Sequence, residues 1–421
     1  MKIRFTDARI LPLDRVTPLF TGELVTDGPV ILAMGADCSP YGPFDREINC
    51  HGNLLMPGFK NAHTHSGMTF LRSMADDLPL QRWLTEQVFP REAQLLPEDV
   101  YILTKLAILE YLTSGITMMF DMYFPRESVA QAAIDTGFRT ALVGCANDFG
   151  GSAKETEEEY ARYTTLHPLI TYRLGFHAEY TTSYPLLSDL ADMVQSLRQP
   201  FYSHLCETKT EVESCLAHSG MRPIEYLDSL GLFDFGGGGY HCVHVSEHEL
   251  EIMKARGMTA ITCPGSNTKL ASGVAPVYEF LERGIPVAIG TDGPASNNCL
   301  DMFREMFLVT GLQKLKHGAE AVNALDVLDM ACRNGALASG FPDCDSLAPG
   351  KQADLILIDL SQPNMQPLNN IEKNIVYSGS KQNVVLAMIA GKVLYDHGAF
   401  FIGDEPEHIY AEAERIVHRI Q

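Results

Sequence analysis

Between about residue 54 and residue 290 the chain alternates short apolar runs with longer stretches of helical periodicity. Eight of the runs have the length and the β-branched or aromatic content of buried strands. They are Leu54–Ala62, Gly115–Asp121, Thr140–Cys145, Thr171–Phe176, Phe201–Leu205, Tyr240–Val245, Thr259–Cys263 and Val287–Gly290. Between them Val100–Thr113, Leu187–Leu197, Thr210–His218 and Val277–Arg283 read as helices. Strand and helix in regular alternation predict an α/β fold with a parallel sheet. Eight repeats fit a (β/α)8 TIM-like barrel better than an open sheet, which usually stops at about five or six strands.

The two ends have another texture. Lys2–Ile10, Pro29–Met34 and Glu47–Cys50 are short strand candidates broken by Gly, Pro and Asp. Asp354–Asp359 reads as a buried strand, and Val384–Leu394 as two strands across the Gly391-Lys392 turn. The expectation is a small β-sandwich domain built from residues 1–56 and 347–421, flanking a barrel over residues 57–346. The pattern assigns no element beyond Leu394.

Composition narrows the function classes. At 421 residues the chain has room for a barrel of about 250 residues plus a smaller unit. Its 46% hydrophobic and 20% charged residues are those of a folded globular protein. A formal net charge of −21 argues against nucleic acid or an anionic membrane as the main partner, since both would be repelled. Ten cysteines scattered from Cys38 to Cys344 form no C-x-x-C pair and follow no secretory signal. That usage suits reduced thiols in a cytoplasm, and no apolar run approaches the roughly 20 residues of a membrane-spanning helix.

In a barrel of this kind chemistry gathers at the C-terminal ends of the strands. Polar residues do concentrate where the apolar runs stop: His63 and His65 after the first, Asp121 after the second, His177 after the fourth, His204 and Glu207 after the fifth, His241 and His244 after the sixth, Asp292 after the eighth. Alternate residues of a strand share a face, so His63 and His65 can address one ion. Each of these residues alone also suits a hydrogen-bonded core or turn position. Together, His63, His65, His204 and Asp292 offer three imidazoles and a carboxylate to one divalent metal ion, zinc first, with iron, manganese or nickel admitted. Asp292 can both hold the metal and accept a proton from water. Glu207 can pass that proton to a substrate ring nitrogen, and His241 can hydrogen-bond a developing alkoxide. Glu207 equally suits the first turn of a helix.

The segments Met56-Pro57-Gly58-Phe59-Lys60-Asn61-Ala62-His63-Thr64-His65, Ser203-His204-Leu205-Cys206-Glu207-Thr208, His241-Cys242-Val243-His244 and Thr291-Asp292-Gly293 followed by Ala295-Ser296-Asn297-Asn298, in this order, resemble the amidohydrolase superfamily. Ala75–Leu84, Ser266–Gly273 and Asn297–Phe303 bring the resemblance closer to the deaminases of S-adenosylhomocysteine and 5'-methylthioadenosine. The resemblance implies hydrolytic removal of an exocyclic amine from a purine nucleoside, with one divalent ion on His63, His65, His204 and Asp292, and Glu207, His241 and Asp292 as catalytic groups. It also implies that Glu92 and His177 contact the nucleoside, with Glu207 and Asp292 bordering it. Two-metal members of the superfamily carry a bridging lysine after the fourth strand. This chain has Gly175-Phe176-His177-Ala178 there, which favours one ion.

Two departures bear on substrate. Close relatives read Gly-Pro-His-Ala-Pro-Tyr-Thr where this chain has Gly175-Phe176-His177-Ala178-Glu179-Tyr180-Thr181. Gly144-Cys145-Ala146-Asn147 stands where the family tends to place a substrate-binding arginine. Without that cation the expected preference is for a small or neutral tail: 5'-methylthioadenosine, 5'-deoxyadenosine or adenosine over S-adenosylhomocysteine. The alternatives are hydrolysis of another heterocycle, such as a guanine-like base, a pterin or a triazine, or a scaffold without activity. A homo-oligomer is expected from the resemblance.

Overall fold

Eight parallel strands, paired in sequence order, form the middle of the molecule: β1 (Phe59–Thr64), β2 (Ile116–Asp121), β3 (Arg139–Val143), β4 (Ile170–Ala178), β5 (Phe201–Leu205), β6 (Gly237–His241), β7 (Met258–Thr262) and β8 (Val287–Ile289). The structure is a computed structural model, and it describes residues 1–74, 76–78 and 80–420. Ala75 and Pro79 of the Ala75–Leu84 motif lie outside the described residues.

β8 meets β1 without a regular ladder, and side chains sew the seam. The Asp292 amide donates to the His63 carbonyl at 3.0 Å. Asn61 accepts from the Thr291 amide at 2.8 Å and donates to the Thr291 hydroxyl at 2.7 Å. Gly290 is needed there, because a Cβ would sit 2.8 Å from the His63 backbone nitrogen. The seam therefore fixes two of the expected metal ligands, His63 and Asp292, against each other. Inside the barrel the small residues Ala62, Ala141 and Ala288 leave room for the rings of Phe120, Tyr202 and Tyr240. Phe120 packs edge-on to both tyrosines, with centroids 5.1 and 5.8 Å away. The barrel floor is thus a packed core.

The chain ends build one nine-stranded, mostly antiparallel sheet. Its order is Ala399–Phe400, Lys392–Asp396, Val384–Ile389, Leu355–Ile358, Leu54–Pro57, Lys2–Ile10, Phe20–Asp27 and Val30–Gly35, with Arg46–Asn49 also paired to Lys2–Ile10. The buried pair of Arg139 on β3 and Asp354 ties this sheet to the barrel through bonds of 2.5 and 3.0 Å.

Several expectations are corrected. Leu54–Ala62 is two strands: Leu54–Pro57 belongs to the outer sheet and Phe59–Thr64 to the barrel. Pro57 lacks an amide to continue a ladder, and at Gly58 any Cβ would strike the Thr117 side chain at 2.2 Å, so the chain switches sheets there. The sixth strand ends at His241 rather than Val245, because His241 and Cys242 take left-handed backbone angles (φ 68° and 47°) and turn the chain. Among the elements not anticipated are the Phe20–Asp27 strand and the Pro406–Ile420 helix. That helix buries Ile409, Ala413, Ile416 and Ile420. It is tied back to the Pro97–Thr113 helix by the Arg419–Asp99 ion pair. Among the described residues no helix is long and apolar enough to cross a membrane. All ten cysteines are free thiols, eight of them buried.

Candidate metal centre and substrate cavity

His63 and His65 stand at and just beyond the end of β1, His204 is the fourth residue of β5, His241 ends β6, and Asp292 follows β8. Their rings converge. Centroids lie 4.8 Å apart for His63 and His65, 4.9 Å for His63 and His204, and 5.5 Å for His204 and His241. Asp292 Oδ1 is 3.3 Å from His65 Nε2 and 3.6 Å from His63 Nε2. One potential ligand atom from each of His63, His65 and Asp292 falls within a 4.8 Å span, and so does one from each of His63, His204 and His241.

The hydrogen-bond pattern is what a metal site requires. His65 Nδ1 donates to the Met122 carbonyl at 2.7 Å, His204 Nδ1 to the His177 carbonyl at 2.7 Å, and His241 Nδ1 to Asn267 Oδ1 at 2.8 Å. Each bond fixes the tautomer that leaves Nε2 with its lone pair turned to the centre. His63 is completely buried, stacked on Tyr240 at 3.9 Å, and neither ring nitrogen has a hydrogen-bond partner. A buried imidazole without a partner is costly, and a cation on its lone pair removes that cost. The donor set of imidazoles and a carboxylate therefore fits one borderline divalent ion.

Electrostatics separates the titratable groups. Burial, with His65 beside it, pushes the His63 imidazolium far below its usual range, and burial acts on His204 in the same direction. His177 falls to about 4 for the same reason, so it is neutral near pH 7. His65, with Nε2 3.3 Å from Asp292 Oδ1, is raised to about 9 because Asp292 outweighs the burial that opposes its charge, so a proton and a metal ion compete for the same Nε2 lone pair. Asp292 is correspondingly held well below the ordinary carboxylate range, against burial, by His65. Its other oxygen accepts from the Ser266 and Ser296 hydroxyls, each at 2.6 Å. Glu207 moves the other way: burial raises it, and His241, with Nε2 3.8 Å from Oε2, only partly opposes. Two acids of one site are thus driven apart, Asp292 toward the carboxylate and Glu207 toward the protonated acid.

Glu207 is the last residue before the cap of the Lys209–Ser219 helix. The helix needs an acid in its first turn, but Glu211 fills that role by accepting from the Cys206 and Glu207 amides at 2.6 and 2.7 Å. Glu207 is left free to face the cavity, where Ser272 donates to Oε1 at 3.4 Å.

These groups form the floor of a cavity of about 610 Å³. That volume falls within the range of small-molecule sites. His65, His204, His241, Glu207 and Asp292 line it, and Glu92 and His177 stand on its walls. Glu92 is buried beside the Tyr123 hydroxyl, and burial raises it to about 7. His177 Nδ1 is 2.9 Å from Thr181 Oγ1. Asp121 is not in the cavity: it accepts from the Ser66 amide and hydroxyl at 2.9 and 2.5 Å and braces the turn after His65. His244 also turns away, with Nε2 donating to the Ser272 carbonyl at 2.7 Å.

Sequence reasoning gave no role to Ser266, Ser296 and Asn267, which orient Asp292 and His241, although all three lie in segments already singled out as motifs. Nor did it find the aromatic wall of Trp83, Tyr123, Phe124 and Phe149, or Arg126 at the start of the Arg126–Thr136 helix. Trp83 lies in the Ala75–Leu84 segment, but nothing in local pattern marks the others, because they meet only across the barrel mouth.

The amidohydrolase family model matches residues 54–394. A 5-methylthioadenosine/S-adenosylhomocysteine deaminase of Pelotomaculum thermopropionicum is 39% identical over 407 residues, covering 95% of this chain and 94% of its own. Another from Moorella thermoacetica is 40% identical over 437 residues, covering 99% of both chains. Among solved structures, an adenosine deaminase from Xanthomonas campestris with bound zinc superposes with a TM-score of 0.93 at 32% identity, covering 100% of this chain and 98% of that one.

Proposed function

The chain belongs to the amidohydrolase family, and we propose that it removes the exocyclic amine of an adenosine derivative by metal-dependent hydrolysis, releasing the inosine analogue and ammonia. The observation that carries this reading is the convergence of His63, His65, His204 and Asp292, with Nε2 lone pairs turned inward, beside one ionised and one protonatable acid.

In this reading those four residues hold one divalent ion, with zinc the first candidate. When bound, it supplies Lewis acidity that brings the pKa of a water toward neutrality. Asp292, ionised and facing the cavity, accepts a proton from the attacking water. Glu207, buried and raised, donates a proton to the ring nitrogen beside the attacked carbon, so that the carbon can take up the water oxygen. His241, held by Asn267, hydrogen-bonds the oxygen as it gains charge. Collapse of the tetrahedral carbon expels ammonia, whose extra proton comes from the water through the acid pair. Glu92 accepts from ribose hydroxyls, and neutral His177 contacts the nucleoside.

We assign the tail preference to the wall beyond the ribose. The Gly144–Asn147 turn brings no cation, and the guanidinium lining the cavity, Arg126, is already neutralised by Glu159 at 2.6 Å with Nη1 on the Cys145 sulfur at 2.9 Å. A free carboxylate on the substrate would have to break that pair. The favoured substrates are therefore 5'-methylthioadenosine, 5'-deoxyadenosine and adenosine. An ultraviolet deamination assay over these three and S-adenosylhomocysteine tests the order, and a higher kcat/KM on S-adenosylhomocysteine refutes it. Ammonia release from guanine, a pterin or a triazine but from none of the nucleosides would replace the substrate class altogether.

A further inference from the structure

A second set of metal-ligating side chains lies outside the barrel mouth, where the turn after β4 touches the Lys209–Ser219 helix. Glu179, Cys215 and His218 each place one ligand atom within a common 4.8 Å span. The Glu179 carboxylate is 97% buried, with Oε1 2.8 Å from His218 Nε2 and, at Oε2, no nitrogen or oxygen donor, the Cys215 thiol being the weak donor beside it. A thiol compensates little for burying a carboxylate, and a cation compensates far more.

The histidine is arranged as ligands are. His218 Nδ1 donates to the Ser214 carbonyl one turn earlier at 2.8 Å, which leaves Nε2 without a hydrogen in the neutral ring. Nε2 and Glu179 Oε1 are then two acceptors at hydrogen-bonding distance, and only a proton or a metal ion on the nitrogen reconciles them. The third member discriminates between the two. The Cys215 sulfur is fully buried against the same carboxylate, and its other contact is the Ser219 hydroxyl at 3.6 Å. In the metal-free site the thiol serves only as a weak donor to that carboxylate, whereas a borderline divalent ion takes nitrogen, oxygen and thiolate together. His218 is half exposed, so an ion can enter, and a water can complete a four-coordinate shell.

We propose that Glu179, Cys215 and His218 form a second metal site, selective for zinc-like ions over magnesium or calcium. Binding displaces the thiol proton to solvent and leaves a thiolate on the ion. The site braces the turn that follows His177 and carries Tyr180 to the helix that begins just after Glu207, so both sides of the cavity are joined through it.

Cobalt separates the two centres, since a thiolate gives a near-ultraviolet charge-transfer band that imidazoles and a carboxylate do not. The test loads apo protein with Co(II), and separately with zinc, in the wild type, Cys215→Ser and His218→Ala. The expected result is two ions per wild-type chain with the thiolate band, and one ion per chain without the band in each variant, circular dichroism being unchanged. His218→Ala, at a half-exposed helix end, guards against a folding artefact at the buried cysteine. A wild-type chain without the thiolate band, whether it holds one ion or two, or a band that survives Cys215→Ser would each overturn the site, whereas one ion with a band lost in Cys215→Ser would uphold it and count against the centre at the barrel mouth. None of these outcomes depends on which nucleoside is deaminated.

Discussion

Replacing Glu207 by glutamine removes one transferable proton and little else. The side chain is only 4% exposed, its Oε1 accepts from Ser272, and its backbone amide is held by Glu211, so the isosteric amide keeps the packing and the backbone contacts. The lost contribution is general-acid catalysis, which is worth about 10²- to 10⁴-fold in rate. At 1.36 kcal/mol per factor of ten this is about 2.7–5.4 kcal/mol of barrier. Steady-state kinetics on 5'-methylthioadenosine should show kcat lowered by that factor, with KM within a few-fold and bound metal and thermal midpoint unchanged. The pH profile carries a second signature. Burial raises the Glu207 pKa, and the reaction needs the protonated acid, so wild-type kcat falls as pH climbs through that raised value. In Glu207→Gln that alkaline limb should vanish. Activity within tenfold of wild type, or a loss explained by lost metal, would refute the assignment of the proton to this residue.

Exhaustive chelation should abolish deamination, with zinc restoring it. A hundredfold excess of ion over its Kd should also stabilise the fold by about 2.7 kcal/mol, visible in the thermal midpoint. Asn61→Ala opens the seam between β8 and β1 by removing two buried hydrogen bonds to Thr291. The cost in urea unfolding should be about 1–3 kcal/mol for each buried partner left unsatisfied, and ion retention should weaken because His63 and Asp292 meet at that seam. Arg139→Met strands the buried Asp354 carboxylate and should cost about 3–5 kcal/mol. In the wild type Arg139 holds Asp354 below its ordinary value despite burial. The stabilisation is therefore present above the unfolded carboxylate pKa of about 3.9 and lost as pH falls through the lowered folded value. Acid titration of unfolding in the two proteins checks the sign.

Much of the barrel was legible because parallel strands covered on both faces read as uninterrupted apolar runs. Thr171–Phe176 and Phe201–Leu205 were recognisable for that reason and fall within or on observed strands. Helix limits came within three residues at Val100–Thr113 and Leu187–Leu197, because a burial stripe of period 3.6 is a local property. The errors lie where tertiary contacts override local pattern. Leu54–Ala62 is one apolar run, yet Thr117 occupies the space above Gly58 and splits it between two sheets. The Pro406–Ile420 helix carried a readable signal in Ile409, Ala413, Ile416 and Ile420, diluted by the charged residues between them. Asp121 looked like His177 from the sequence, since each ends a strand. One braces a turn and the other faces the cavity, a difference decided by Ser66 and Thr181 rather than by the strands themselves.

By itself the order of residues determined which chemistry was on offer: histidines and acids at the ends of apolar runs, spaced so that a parallel barrel would carry them to one mouth. That follows because strand periodicity and strand polarity are local and additive. Only the tertiary structure decided which nitrogen of each imidazole faces the centre and which acid is ionised. Those depend on the Met122 and His177 carbonyls, on Asn267, on the burial of Glu207, and on His65 and the serines beside Asp292, contacts between segments far apart in the chain. Tautomer and charge are properties of an enclosed volume of low dielectric, and no segment of the chain encloses that volume alone.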